Sequence, residues 1–139
     1  VLGVAAWSRS KPSVALAGPV GRYWTWEELT VSTKASKLGL DNTPPVWAQR
    51  NLQWVVHRVL DPLRARFGHR AVRVNSGYRS EAVNRAVGGV TRSLHMAGLA
   101  FDLAGAFLRE PGVLGLLRRM GLRVIPYPTH VHVEVRHGS

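Results

Sequence analysis

The segment Thr129-His130-Val131-His132-Val133-Glu134-Val135 alternates between valine and a polar or ionisable side chain. Alternate side chains share a face only in an extended strand. The pattern therefore predicts a strand over 129–136, with Val131, Val133 and Val135 facing a core. His130, His132 and Glu134 then share the opposite face. A strand with a dry side needs a partner strand and a layer beneath it, which directs the chain toward a sheet covered on one face.

A second stretch supplies that partner. In Ser93-Leu94-His95-Met96-Ala97-Gly98-Leu99-Ala100-Phe101-Asp102, a histidine and an aspartate stand seven residues apart. If 99–103 is a strand, Phe101 and Leu103 face inward while Ala100 and Asp102 share the other face. Gly98 lets the chain turn from His95 into that strand, and the small Ala100 leaves room beside Asp102. Laid antiparallel to the last strand, Asp102 meets His132 and the His95 loop folds over both. Two imidazoles and one carboxylate, with a fourth position left for water, have the composition of a catalytic zinc site. For any one of these residues alone, a hydrogen-bonded histidine or a half-buried aspartate is the plainer explanation.

The remaining composition sets limits. At 139 residues the chain fits one domain with a real core. Apolar residues make up 45% and charged residues 19%, as in a globular protein. No apolar run approaches the ~20 residues of a membrane span. Val1 to Trp7 is too short for a secretion signal and lacks a preceding basic region, and the start at Val1 suggests trimming. There is no cysteine, so metal must be held by histidine and carboxylate. The net charge of +11 favours a polyanionic partner. Basic residues are spread along the chain, and no helix stands out as interleaving them with aromatics, so specific nucleic-acid binding is not expected.

Residues 1–22, with Pro12, Pro19, Gly18 and Gly21, predict an irregular arm ahead of a domain over 23–139. Thr25 and Glu28 make a capping box for a short helix, and a second helix runs from Ser32 to Leu38, stopped by Gly39. Thr43 caps and Pro44 opens the next helix, whose stripe of Leu52, Val55, Val56, Val59, Leu60, Leu63 and Phe67 faces the core. Pro62 kinks or divides it, and His57 lies at its surface. A strand follows at 71–75, then the turn Ser76-Gly77-Tyr78-Arg79-Ser80 and a helix over 81–86 capped by Ser80. Pro111 opens a helix to Met120 with Leu114, Leu117 and Met120 inward, and Val124-Ile125 forms a short strand. All five tryptophans fall within the first 54 residues; core packing is the commoner fate, a sugar-stacking face the alternative.

The spacing Ser93-x-His95-x-x-Gly98-x-Ala100-x-Asp102 with a C-terminal His-x-His strand resembles the zinc D-alanyl-D-alanine carboxypeptidases of peptidase family M15, subfamily A. Their fold is shared with the hedgehog signalling domain. Trp26-Glu27-Glu28-Leu29-Thr30, Asn42-x-Pro44, Asn51-Leu52, Leu60-Asp61-Pro62-Leu63-Arg64, Ser76-Gly77-Tyr78-Arg79-Ser80 and Val83-Asn84-x-x-Val87-Gly88-Gly89 resemble the small members found in bacteriophages and bacteria. The resemblance covers about residues 23–136. It implies an α+β fold: a small antiparallel sheet with helices on one face and a zinc site on the other.

The same resemblance implies His95, Asp102 and His132 as zinc ligands. It implies Arg79 as a group that anchors substrate or stabilises an oxyanion, for which a turn salt bridge is the plainer alternative. Better-known members carry a glutamate or histidine a few residues before the last ligand. Here Pro126, Tyr127 and Thr129 stand there, which leaves His130 as the acid–base candidate, ahead of Tyr127 and Glu134. His130 could instead only hydrogen-bond a neighbour.

The expected function is zinc-dependent hydrolysis of peptidoglycan peptides at the bacterial cell wall, by a monomer drawn to anionic wall polymers. A phage lysis enzyme and a cellular wall-remodelling enzyme fit equally. A catalytically silent module that binds metal and wall is the alternative, and a polyanion-binding protein with incidental histidines a third.

Overall fold

The computed structural model describes residues 16–68, 70 and 72–136. Four strands form one antiparallel sheet: β3 (Arg73–Ser76), β4 (Ala100–Ala104), β5 (Leu122–Pro126) and β6 (Val131–Val135), in the order β3-β4-β6-β5. The last strand is thus interior, flanked by β4 and β5. Asp102 pairs directly with His132, Phe101 with Val133 and Leu103 with Val131. That register turns Phe101, Leu103, Val131 and Val133 into the core, each at most 2% exposed. Asp102, His132 and Glu134 are thereby held on the other face. A bulge in β3 between Val74 and Ser76 brings Ser76 opposite Asp102.

The covering layer is a nearly continuous helical rod: α3 (Val46–Val55), one π-turn (Val56–Leu60) and α4 (Asp61–Arg66). Leu52, Val55, Val56, Val59, Leu60 and Leu63 are its buried stripe, as the periodicity predicts. Pro62 neither breaks nor divides the rod. Proline has no N–H, and its ring crowds the carbonyl four residues back. The chain widens instead, and the Asp61 N–H reaches back five residues to the Val56 carbonyl. The rod also starts later than predicted, with Pro45 as its cap and no capping side chain. Pro44 precedes another proline and is thereby pushed out of helical geometry. The Asp41 carboxylate accepts the Thr43 N–H at 2.8 Å instead.

Residues 16–22 do not form the irregular arm expected of them. β1 (Pro19–Val20) pairs with β2 (Trp24–Thr25), and Val20 enters the core. The expected arm's residues 1–15 lie outside the described residues. Behind the hairpin, α1 (Trp26–Leu29) carries the Thr25–Glu28 capping box, and α2 (Thr33–Leu38) runs from the Ser32 cap to Gly39 at φ +65°. The hairpin turn docks on the rod. Asp61 accepts the N–H groups of Arg22 and Tyr23 at 2.8 and 3.2 Å. Gly21 sits at φ +67°, where an added Cβ would lie 2.3 Å from Val56 Cγ1. Gly21→Ala is therefore expected to combine left-handed strain with a core clash and cost about 2 kcal/mol or more. A lower urea midpoint at unchanged slope is the check, and an unchanged midpoint would contradict it.

Two further helices complete the fold: α5 (Glu81–Ala86), capped by Ser80, which packs on α2 and the Leu94–Ala97 turn, and α6 (Pro111–Arg119), which packs on β5. Val113 and Leu117 are the fully buried side of α6, with Leu114 and Met120 packed partly beside them. The tryptophans divide. Trp24 and Trp26 are core residues, whereas Trp47 and Trp54 on α3 are 57% and 47% exposed; Trp7 lies outside the described residues. Among the described residues no helix is long and apolar enough to cross a membrane.

Candidate metal centre

His95 is delivered by a single 3-10 turn, Leu94–Ala97, which Ser93 caps by accepting the His95 N–H at 3.2 Å. Gly98 then reverses the chain at φ +74°. A Cβ there would lie 2.9 Å from Leu52 and 3.0 Å from the Ala48 carbonyl, so glycine lets the loop press onto α3 before entering β4. The imidazole is 3% exposed, with Nδ1 2.8 Å from the Gly77 carbonyl. A carbonyl only accepts, so Nδ1 carries a proton, and the bond turns Nε2 toward Asp102. Nε2 stands 3.6 Å from Asp102 Oδ2.

His132 lies on the other side of the same carboxylate. Its Nδ1 is 2.8 Å from Asp102 Oδ1, and its Nε2 is 2.9 Å from Glu134 Oε1. Both partners are acceptors, so the metal-free imidazole holds a proton on each nitrogen. Its pKa is accordingly raised, chiefly by the Asp102 hydrogen bond, against burial. Burial pushes the Asp102 carboxyl up, but His132 and His95 outweigh it and hold it far below the usual carboxylate range. Burial acts the same way on Glu134, and His132 again reverses it, so that carboxyl also lies low.

These donors fit a small divalent cation. One ligand atom from each of His95, Asp102 and His132 falls in a set within 4.8 Å of one another. Bonds of about 2.0–2.1 Å in tetrahedral geometry set ligands roughly 3.3 Å apart, close to the 3.6 Å between His95 Nε2 and Asp102. Each ring already has its second nitrogen held, His95 by the Gly77 carbonyl and His132 by Glu134, which is how metal-binding histidines are oriented. A nitrogen and oxygen set without thiolate suits zinc.

Arg79 reaches the centre from behind Asp102. Its Nε donates to Ser76 Oγ at 3.0 Å, while its two terminal nitrogens reach Asn84 Oδ1 and Asp102 Oδ2, each at 3.4 Å. Burial lowers its pKa, and the Asp102 charge partly offsets this. His130 stands just outside the triad, with Nε2 3.9 Å from Asp102 Oδ1 and Nδ1 3.1 Å from Thr129 Oγ1. Tyr127 stacks on its ring at 4.9 Å. All five residues singled out in the sequence line or frame one cavity of about 590 Å³, and Arg92 and Arg123 join them there.

A family model for peptidase M15 matches residues 22–134. The chain belongs to the peptidase M15 family. No curated protein gives a match. The M15 match spans the whole sheet up to Glu134 and takes in all three candidate ligands, Arg79 and His130.

Three contributors to the centre, Gly77, Arg92 and Arg123, have no role there on sequence grounds. Gly77 contributes a backbone carbonyl, which residue type does not reveal. A Cβ on Gly77 would lie 2.3 Å from the Leu29 carbonyl, so glycine there lets the turn seat against α1. Arg92 sits in a loop with nothing in its spacing to mark it. Arg123 pairs with Glu134 across β5 and β6, 3.4 Å from its carboxylate, a contact that needs the strand order. Glu134, weighed as a base, is instead tied to His132.

That tie predicts a measurable effect. Glu134→Ala frees the His132 Nε2 proton and should weaken zinc about 10–100-fold, the usual cost of losing such a partner. Glu134→Gln still accepts through Oε1 and should restore most of it. Chelator competition reads both, and equal affinity in wild type and Glu134→Ala would contradict the assignment.

Proposed function

We propose that this chain is a zinc peptidase that hydrolyses a peptide bond in the stem or cross-link peptides of bacterial peptidoglycan, as a D-alanyl-D-alanine carboxypeptidase or an endopeptidase. The observation that carries the reading is the convergence of His95, Asp102 and His132, each histidine with its second nitrogen already held. Zinc bound there supplies Lewis acidity, polarising a carbonyl and making water acidic enough to attack near neutral pH.

The chain's own residues supply the rest. Arg79, Arg92 and Arg123 surround the cavity with positive charge, which suits the free carboxylates of a stem peptide. Arg79 is partly buried beside Asp102, so its guanidinium holds a developing oxyanion at low dielectric better than an exposed one would. His130, with one nitrogen on Thr129 and its ring stacked on Tyr127, takes a proton from the attacking water and returns it to the leaving amine. In this reading residues 23–139 are the peptidase domain, with the Pro19–Val20 strand docked on it, and the enzyme works as a monomer at the cell wall, encoded by a phage or a cell.

One observation favours a second reading, a metal-dependent wall-binding module without turnover: position 129, three before the last ligand, holds Thr129 rather than an acidic base. Mass analysis of peptidoglycan fragments after digestion by the zinc-loaded chain separates the two. Released D-alanine or split cross-links support the peptidase, and intact muropeptides after long digestion support the binding module.

A further inference from the structure

No helix is expected from the sequence to interleave aromatic and basic side chains on one face, but α3 and its π-turn do. Trp47, Arg50, Trp54 and Arg58 follow one another at three- and four-residue steps along α3 and its π-turn, and all four are exposed. The Arg58 guanidinium lies 5.9 Å from the Trp54 ring centroid. This row borders a cavity of about 670 Å³ lined by Trp54, Arg58, Arg119 and Met120 and floored by Leu99 and Leu122. It opens on the face of the sheet opposite the metal centre, since Leu122 and Val135 point away from His132 and Glu134.

Two exposed indoles on one helix face are not explained by folding, because the buried stripe of the same helix already anchors it. Their chemistry suits a pyranose ring, whose C–H face packs on an aromatic plane. The arginines beside them suit carboxylates. A strand of sugars bearing acidic peptides offers both at once. We propose that this groove is a second attachment site for the peptidoglycan strand itself, with Trp54 stacking on a sugar ring and Arg58 and Arg119 pairing with stem-peptide carboxylates. The proposal rests on the peptidoglycan reading above, which makes that polymer the partner rather than a nucleic acid. A chain held to the strand by a surface remote from its metal centre stays near successive peptides between encounters.

The test uses purified sacculi stripped of phosphate polymers, with co-sedimentation for binding and a soluble muropeptide for turnover. Trp54→Ala should weaken sacculus binding about tenfold or more, as loss of an aromatic anchor typically does. Arg58→Gln, a change at an exposed site that cannot unfold the core, should weaken it less and flatten its salt dependence. Zinc content and turnover of the soluble muropeptide should stay at wild-type values in both. Unchanged sacculus binding in a variant carrying both Trp54→Ala and Arg58→Gln would overturn the proposal. So would an equal loss of activity on soluble and insoluble substrate, or Trp54-dependent binding of an oligonucleotide with none to sacculi. If the wild type cleaves no wall peptide yet binds sacculi through Trp54, the attachment site stands and the peptidase reading falls.

Discussion

Zinc-loaded His130→Ala should retain its metal and lose about 10²–10⁴-fold in turnover, the usual contribution of a positioned acid–base group. The two halves of this expectation come from separate observations. The metal set is complete without His130, which stands 3.9 Å from Asp102 and outside the cluster of ligand atoms. Yet it lines the same cavity, two residues before His132 and just ahead of β6. Its ring is steadied by Tyr127 and Thr129, so the loss should appear in kcat more than in KM. Steady-state kinetics on a defined muropeptide, with zinc measured on the same samples, reads both. Near wild-type turnover in zinc-loaded His130→Ala would move proton transfer to Tyr127 or to a second water.

The second large effect lies at the ligands. His95→Ala, Asp102→Asn and His132→Ala should each lose most bound zinc after dialysis. Sites with four ligands hold zinc with about 10–16 kcal/mol, so one ligand carries roughly 3–4 kcal/mol, or ~10²–10³-fold in affinity. Asp102→Asn is the sharpest of the three. It keeps the side chain's shape but removes the charge that His132, Arg79 and His95 all face. The metal-free variant should also show a His132 pKa shifted down toward its ordinary value, because the Asp102 carboxylate is the chief cause of the rise. Full zinc occupancy in all three variants would remove the metal centre as assigned.

What could be read from the sequence was what repeats with a period. The two-residue alternation around His132 and Asp102 gave both strands and their dry faces, and the 3.6-residue stripe from Leu52 to Leu63 gave the rod. Local capping chemistry was equally visible at Thr25, Ser32 and Ser80, because a cap is a relation between residues three apart. Contacts between distant segments were not visible. That His95 leans on a carbonyl at Gly77, or that Arg123 sits opposite Glu134, depends on strand order. Local rules also collide where two apply at once. Pro44 suits a helix start, but the proline after it forbids one, and Pro62 suits a break, but a widened turn absorbs it. The tryptophans misled because residue type says that indoles bury, while only the helix phase says which ones cannot.

The interior position of β6 has a consequence for how such a chain is made. Asp102 leaves the ribosome well before His132, and β4 and β5 belong to one sheet only through β6 between them. At ~5–20 residues per second, the 31 residues from Ala104 to Val135 take about 2–6 s to synthesise. Until His132 is added, the nascent chain holds one histidine and one carboxylate of the candidate set, too few to retain metal. A polypeptide interrupted anywhere before Val131 lacks the third candidate ligand, so the candidate metal set comes together only in molecules whose sheet has been completed.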